Sequence, residues 1–328
     1  MKSIPIKNLK DAEEVIGKYS FFNDRNVYVA YSGGKDSLFL CMILKELGYY
    51  VHPVTIDIGY DSNWSIAEEN VNSIGLELIK LDFRFVDKNM PEIREELEGN
   101  LENITKIKEG DLKKTTICTP CYNSKMLILQ KWAESNNVHT IAIGHHGTDA
   151  ITSLLKSFYM YLDRWECLHQ EFEYDNFYKL ILSQKDLFSL EKQEFLKCSV
   201  CIQIEELLKE QKIGTDEPIL QYIDGTDIQI CRPLFGIFEN EIKDYFSNQE
   251  ICFNESECFA TGYRDKSKLT PREMIQYILL KDTPISLLEY LLNCAKKGIN
   301  NNGYLEFNVR NNRSKILGKS YKNEVLKK

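Results

Sequence analysis

The feature that most constrains this chain is a six-residue turn, Ser32-Gly33-Gly34-Lys35-Asp36-Ser37, set between a β-rich run and a helix-forming run. Asn26 to Tyr31 is rich in β-branched and aromatic residues. Asp36 to Leu47 places Leu38, Cys41, Met42 and Leu44 where they can share a buried side, and Gly48 can close that helix. A strand that enters a glycine turn and leaves as a helix aims backbone amides and a helix N-terminus at one point. That is where negative charge is best accommodated. The glycines let an anion approach without an intervening Cβ, Lys35 adds a point charge, and Asp36 can hold magnesium or orient a leaving group. The spacing matches neither a Walker loop nor a dinucleotide loop. The competing reading is a plain turn that happens to carry a lysine, and six specified residues in this context disfavour it.

Strand and helix signals alternate beyond the loop. Val51 to Ile58, Leu76 to Leu81 and Val138 to Ile143 read as strands, and Asn63 to Ile74 and Thr119 to Asn136 as helices. This alternation predicts an α/β fold with a doubly wound parallel sheet, ligands binding at the C-terminal strand ends. Asp149 to Phe158 continues as a helix. From Tyr159 to Thr226 the alternation lapses, which suggests a mostly helical insertion. Asp227 to Cys231 predicts a further strand, Glu239 to Asn248 a helix, and Pro271 to Ala295 one or two terminal helices. The resulting domain boundaries are 1–158 for the nucleotide-binding core, 159–226 for the insertion, 227–265 for a return to the core, and 266–328 for a helical segment with a basic tail.

Ten cysteines occur in 328 residues. Two Cys-x-x-Cys pairs stand out, Cys118/Cys121 and Cys198/Cys201. Cys118-Thr119-Pro120-Cys121 opens a predicted helix, with Lys125 one turn beyond. Two thiolates at that spacing can reach one metal, and the residues alone leave open an iron–sulfur cluster, a structural zinc, a redox dithiol or two core cysteines. Cys198/Cys201 is read as a zinc pair or as helical core residues, the latter slightly ahead. Most of the unpaired cysteines are expected to be small buried hydrophobes. Gly144-His145-His146 ends the fourth strand, with Thr148 and Asp149 following. One histidine is expected to pack, and the other to touch ligand with Asp149.

The loop resembles that of the PP-loop ATP pyrophosphatases, which split ATP between its α and β phosphates and pass AMP to a carbonyl or carboxylate oxygen. The ordered set of loop, Cys-x-x-Cys, Gly144-His145-His146 with Asp149, Arg232-Pro233-Leu234, the Glu239-Asn240-Glu241 helix start and Cys258 is similar to the cluster-dependent tRNA thiolation enzymes. These are the 2-thiocytidine and 2-thiouridine synthetases, and the likeness covers roughly residues 25–160 and 227–265. The resemblance implies that Ser32, Gly33, Gly34, Lys35, Asp36, Ser37, Asp57, Gly144 and Asp149 bind ATP. Asp36, Lys35 and Lys125 would act in catalysis, with Mg2+ assisting. Cys118, Cys121 and Cys258 would hold a 4Fe–4S cluster, Cys258 preferred over Cys252 on spacing. The sequence departs from the family in lacking N-terminal zinc-binding cysteines and in carrying Thr148-Asp149 where an acidic doublet is usual.

Composition limits the partners. A net charge of −8 argues against a globally basic nucleic-acid binder. The stretch containing Arg310, Arg313, Lys315, Lys319, Lys322, Lys327 and Lys328 is basic, and reads as a phosphate-contacting arm or as a solvated terminus. The resemblance implies a tRNA as the preferred acceptor, and the acidic charge weakens that implication and makes a small molecule the alternative. The other expected partners are a sulfur donor or sulfide, and a second copy of the chain remains open. No apolar run approaches a membrane span and Met1 to Lys10 lacks a signal core, so the expected compartment is the cytoplasm. A PP-loop ligase or amidotransferase with structural zinc, and a non-catalytic nucleotide sensor, are the competing readings.

Overall fold

A computed structural model describes residues 3–58, 64–95, 97–99, 118–166, 199–215, 219–223, 226–247, 249, 251, 253 and 285–298. Two compact units divide the chain: residues 1–147 with 219–268, and residues 148–218 with 269–328.

The first unit is built on a six-stranded sheet in the order β3-β2-β1-β4-β6-β5. Its strands are β1 (Asn26–Ala30), β2 (Tyr50–Asp57), β3 (Ile79–Asp82), β4 (Thr140–Ile143), β5 (Leu220–Tyr222) and β6 (Gln229–Cys231). Strands β1, β2, β3, β4 and β6 run parallel, as the alternation predicts. Strand β5 is the exception, pairing antiparallel with β6 at one edge. It falls in the stretch read as a helical insertion, where three residues bounded by Ile219 and Ile223 give too short a pattern to read. An N-terminal helix, α1 (Ile6–Tyr19), precedes β1 and buries Ala12, Val15 and Ile16. Gly236 fits beneath it, its missing Cβ lying 3.5 Å from the Asp11 carbonyl oxygen and 3.6 Å from Val15 Cγ2.

Helices cover both faces. On one, α4 (Phe83–Asn89) and α5 (Cys118–Ser135) contribute Val86, Ile128, Leu129 and Trp132 to a core with Val54, Leu81 and Ile141. Asp82 starts α4 by accepting backbone N–H bonds from Arg84 and Phe85. On the other face lies α2 (Lys35–Glu46), in which Ser37 to Leu44 are all buried. Gly48, at φ +84°, ends α2 as expected. The Tyr49 N–H reaches Leu44 O and the Gly48 N–H reaches Lys45 O, satisfying the final carbonyls in a Schellman pattern. Phe39 of α2 packs on Tyr245 and Phe246 of α8 (Glu239–Ser247), with centroids 5.2 and 5.9 Å apart.

Within the order β3-β2-β1-β4-β6-β5, the chain leaves β1 toward β2 on one side while β4 joins it on the other. The topological switch point therefore lies at the C-terminal ends of β1 and β4, where such sheets bind ligands. Helix α3 (Trp64–Ser73) connects β2 to β3.

The second unit contains α6 (from Gly147 to Glu166), α7 (Ser199–Lys209) and α9 (Ile285–Gly298). Tyr290 of α9 brings its hydroxyl within 3.0 Å of Glu205 Oε1 and 3.3 Å of the Cys201 carbonyl on α7. Cys201 and Cys294 are buried there, so Cys201 takes the core reading expected for it, while Cys198 lies outside the described residues. Burial pushes the Cys294 thiol up to about 11, against the opposing pull of Tyr290 and Lys297. Cys41 and Cys231 are fully buried in the first unit with thiols pushed far up by desolvation, as small hydrophobes should be.

Candidate active site

The loop from Ser32 to Ser37 closes on itself before it can meet a ligand. The Ser37 hydroxyl donates to the Gly34 carbonyl at 3.0 Å and accepts from the Ser32 N–H at 3.3 Å. The Ser32 hydroxyl lies 3.2 Å from Ser37 Oγ and accepts the Gly34 N–H at 3.4 Å. Gly33 turns the chain at φ +81°, a conformation glycine adopts without Cβ strain. A side chain there would also meet Ala67 Cβ of α3 at 3.0 Å and the Trp64 ring at 4.0 Å. Gly34 is the N-cap of α2 and supplies no side-chain cap, so no capping side chain occupies the first-turn amides.

The end of β4 packs directly onto this turn. A Cβ on Gly144 would sit 2.8 Å from the Ser37 amide nitrogen and 2.9 Å from the Asp36 carbonyl carbon. Both neighbours are backbone, so only glycine lets the two strand ends come together. His146 follows, buried, with Nε2 3.8 Å from Asp36 Oδ1. It is the packed member of the histidine pair.

Charge converges on Lys35. Its ammonium lies 3.0 Å from Asp36 Oδ1 and 3.3 Å from Glu239 Oε1 at the start of α8, and Lys243 reaches the same Glu239 oxygen at 3.0 Å. Burial disfavours the charged lysine, but Asp36 and Glu239 outweigh it and hold the Lys35 pKa above its ordinary value. Burial likewise opposes ionisation of Glu239, yet Lys35, Lys243 and His146 bring its pKa below the ordinary value. The acidic pair that opens α8 is divided between two tasks. Glu239 faces the loop, while Glu241 accepts the Phe238 N–H at 2.9 Å, completing half of a capping box, and binds Lys7 and Asn8 of α1. A cleft of about 490 Å3 runs beside the loop, lined by Lys35, Asp36, Lys243, Phe246 and Phe253.

The other expected residues are placed as follows. Asp57 ends β2 and pairs with Lys80 of β3 at 2.7 Å, one strand away from the loop. Asp149 is buried in the first turn of α6. Lys125 is half-buried on α5, whose first turn contains Cys118 and Cys121; the side chains of those two cysteines are outside the described set. Cys258, Cys252 and the basic tail from Arg310 to Lys328 also lie outside the described residues. Among the described residues, no three His, Cys, Asp or Glu side chains gather as a metal site. Glu239 and Lys243 enter the site without having been expected in it. The helix start holding Glu239 was visible in the sequence, but which of its two acids faces the loop was not.

A family model described as a family of unknown function (DUF7411) matches residues 25–112. An uncharacterized protein of Methanocaldococcus jannaschii is 42% identical over 65 residues, 19% of this chain and 32% of that one. A tRNA-5-methyluridine(54) 2-sulfurtransferase of Pyrococcus horikoshii is 26% identical over 57% of this chain and 56% of its own length. A tRNA-cytidine(32) 2-sulfurtransferase of Colwellia psychrerythraea is 30% identical over 46% of this chain and 45% of its own. The chain thus spans about half the length of the sulfurtransferases it matches. Among solved structures, the U34-tRNA thiolase NcsA from Methanococcus maripaludis, with its 4Fe–4S cluster, superposes with a TM-score of 0.51 at 18% identity, covering 90% of this chain and 79% of that one. The fold is that of the PP-loop ATP pyrophosphatases, and the chain's sequence relatives include tRNA sulfurtransferases.

Proposed function

We propose that this chain is an ATP-dependent sulfurtransferase that adenylates a carbonyl oxygen of a tRNA base and replaces that oxygen with sulfur. The observation that carries the nucleotide half is the loop itself. First-turn amides of α2 without a side-chain cap, a glycine-only contact from β4 and a fixed Lys35 ammonium meet at the switch point of the sheet. Such a cradle suits phosphate, since helix N-termini and a lysine both favour negative charge. The sulfur half is supported by the two classes of tRNA sulfurtransferase matched in sequence.

In this reading the acceptor's carbonyl oxygen attacks the α-phosphorus of ATP. The bond to the β-phosphate breaks, and pyrophosphate departs against Lys35 and the α2 amides; Asp36 would hold Mg2+, which would supply neutralisation of phosphate charge. Fixed donors aimed at developing charge are the largest contribution a protein makes to such a step. Sulfide, or sulfur from a donor, then attacks the activated carbon, and the C–O bond breaks so that AMP leaves with the former carbonyl oxygen. Lys125 positions the acceptor. Cys118, Cys121 and Cys258 would hold a 4Fe–4S cluster, which would supply iron chemistry suited to carrying sulfur. The cytoplasm is the compartment this reading requires, and no helix among the described residues is long and apolar enough to cross a membrane.

The test is incubation of anaerobically reconstituted protein with ATP, Mg2+, sulfide and bulk tRNA. Pyrophosphate release coupled to a nucleoside heavier by the exchange of oxygen for sulfur supports the reading. Pyrophosphate release with nitrogen incorporated in a parallel incubation with ammonium in place of sulfide, and none with sulfide, would favour a PP-loop ligase.

A further inference from the structure

Glu239 is almost buried, its side chain 11% exposed, and one of its oxygens serves two ammoniums, Lys35 at 3.3 Å and Lys243 at 3.0 Å. A carboxylate taken that far from water is costly unless opposite charge stays beside it. Lys243 lies four residues along the same helix and is 49% exposed, so it keeps its place whichever way Lys35 turns. Lys35 is also held by Asp36, at 3.0 Å. The loop lysine is therefore fixed from two sides, and the partner on α8 has its own reserve counter-charge. Neither Glu239 nor Lys243 belongs to the loop motif, and both come from a segment about two hundred residues downstream of it.

We propose that Glu239 is the positioning residue for Lys35, and that Lys243 is the counter-ion that lets Glu239 release Lys35 to the phosphates. This rests on the reading of the loop as the ATP site. Glu239 aims the ammonium at the place where pyrophosphate charge develops and reduces its freedom to swing into solvent. When Lys35 turns to a phosphate, Lys243 still covers the carboxylate, so the exchange leaves no bare buried charge. Without Lys243 the same movement would leave Glu239 with one counter-charge fewer, and Lys35 would be held back from the ligand.

Two substitutions should therefore act in opposite directions on ATP binding. Glu239→Gln keeps the shape and removes the charge. It should leave the Kd for ATP unchanged or tighter, because a carboxylate near the phosphates is gone, while kcat for pyrophosphate release falls about tenfold through lost positioning. Lys243→Met should weaken ATP binding about fivefold, a size expected of neighbours in one charge network. In the Glu239→Gln background, Lys243→Met should have no further effect on Kd. If its full effect persists there, Lys243 touches the nucleotide directly and the proposal falls. Unchanged kcat in Glu239→Gln, or a weaker Kd with kcat retained, also overturns it. Should Glu239→Gln not fold, Glu239→Asn, uncharged and one methylene shorter, replaces it in both arms with the same expected loss of kcat and of the Lys243 effect. Failure of the functional reading is distinguishable. If the wild type binds ATP but releases no pyrophosphate, the Kd cycle still decides on Glu239. If Lys35→Ala leaves ATP binding unchanged, the loop is not the site and both fall.

Discussion

Gly144 and Ser37 touch backbone to backbone: a Cβ on the glycine would stand 2.8 Å from the Ser37 amide nitrogen. The end of β4 thereby fixes the first turn of α2, and with it the amides offered to a phosphate. Gly144→Ala should push that turn outward. We expect a loss of about 1–3 kcal/mol in folding stability, the usual cost of overpacking, measured by chemical denaturation. Nucleotide affinity should fall further than stability alone explains. An alanine variant that binds ATP like wild type would show that the turn has slack the contact does not suggest.

Lys35 and Asp36 stand 26% and 32% exposed at the mouth of the loop, outside the hydrophobic core. Lys35→Ala and Asp36→Ala should each fold normally and lose pyrophosphate release by about 100-fold or more, the size seen when one preorganised electrostatic group is removed. Circular dichroism and a pyrophosphate assay on the same samples test both halves. Normal turnover in either variant would move the nucleotide site elsewhere.

The loop and the alternating sheet were legible because their signals are local. A glycine turn between a β-rich run and an amphipathic run needs no knowledge of the rest of the chain, and Gly48 marks the end of α2 by its backbone preference alone. Helix α1 carried a usable signal, since Ala12, Val15 and Ile16 recur at helical spacing. Strand β5 was not legible, because three residues cannot display a period. Nor was the division of labour between Glu239 and Glu241. Both are acids in the first turn of one helix, and only the packing of α8 between α1 and the loop separates the one that meets Lys35 from the one that meets Lys7.

The pKa of Glu239 lies below its ordinary value of 4.5 in the folded protein. A carboxylate depressed in this way adds stability that is fully present above 4.5 and is lost as pH falls through the lower folded value. Unfolding free energy should therefore drop on acidification below about pH 4.5. Glu239→Gln should show a shallower drop, read as the difference between neutral pH and about pH 3. An identical acid limb in the two proteins would mean that the two lysines do not stabilise the ionised form.

Trp64 lies against the phosphate loop, its ring 4.0 Å from where a Gly33 Cβ would be, whereas Trp132 is buried in the core on the opposite side of the sheet. Ligand binding at the loop should change the environment of Trp64 first. Titration with ATP and Mg2+ should alter intrinsic fluorescence, and Trp64→Phe should abolish most of the change. A response retained in Trp64→Phe would place the reporter at a tryptophan other than Trp64.

The remaining prediction concerns the third thiolate. Cys118 and Cys121 sit in the first turn of α5, three residues apart, so two ligands can come from one turn of helix. A cluster with one open iron needs a third from a distant segment. Cys252 and Cys258 both follow α8, the helix that delivers Glu239 to the loop, and Cys258 is our choice because the chain from Phe253 to Glu257 gives it more reach beyond the helix end. Cys201 is buried in the second unit's α7 and takes the core reading there. Cys258→Ser should thus lose the broad visible absorption and the sulfur-transfer activity of the anaerobic protein, while Cys252→Ser and Cys201→Ser keep both. Loss in Cys252→Ser alone would move the ligand by six residues and leave the chemistry standing. Colourless protein containing stoichiometric zinc under the same handling would remove sulfur transfer and leave the loop as the site of a different adenylation.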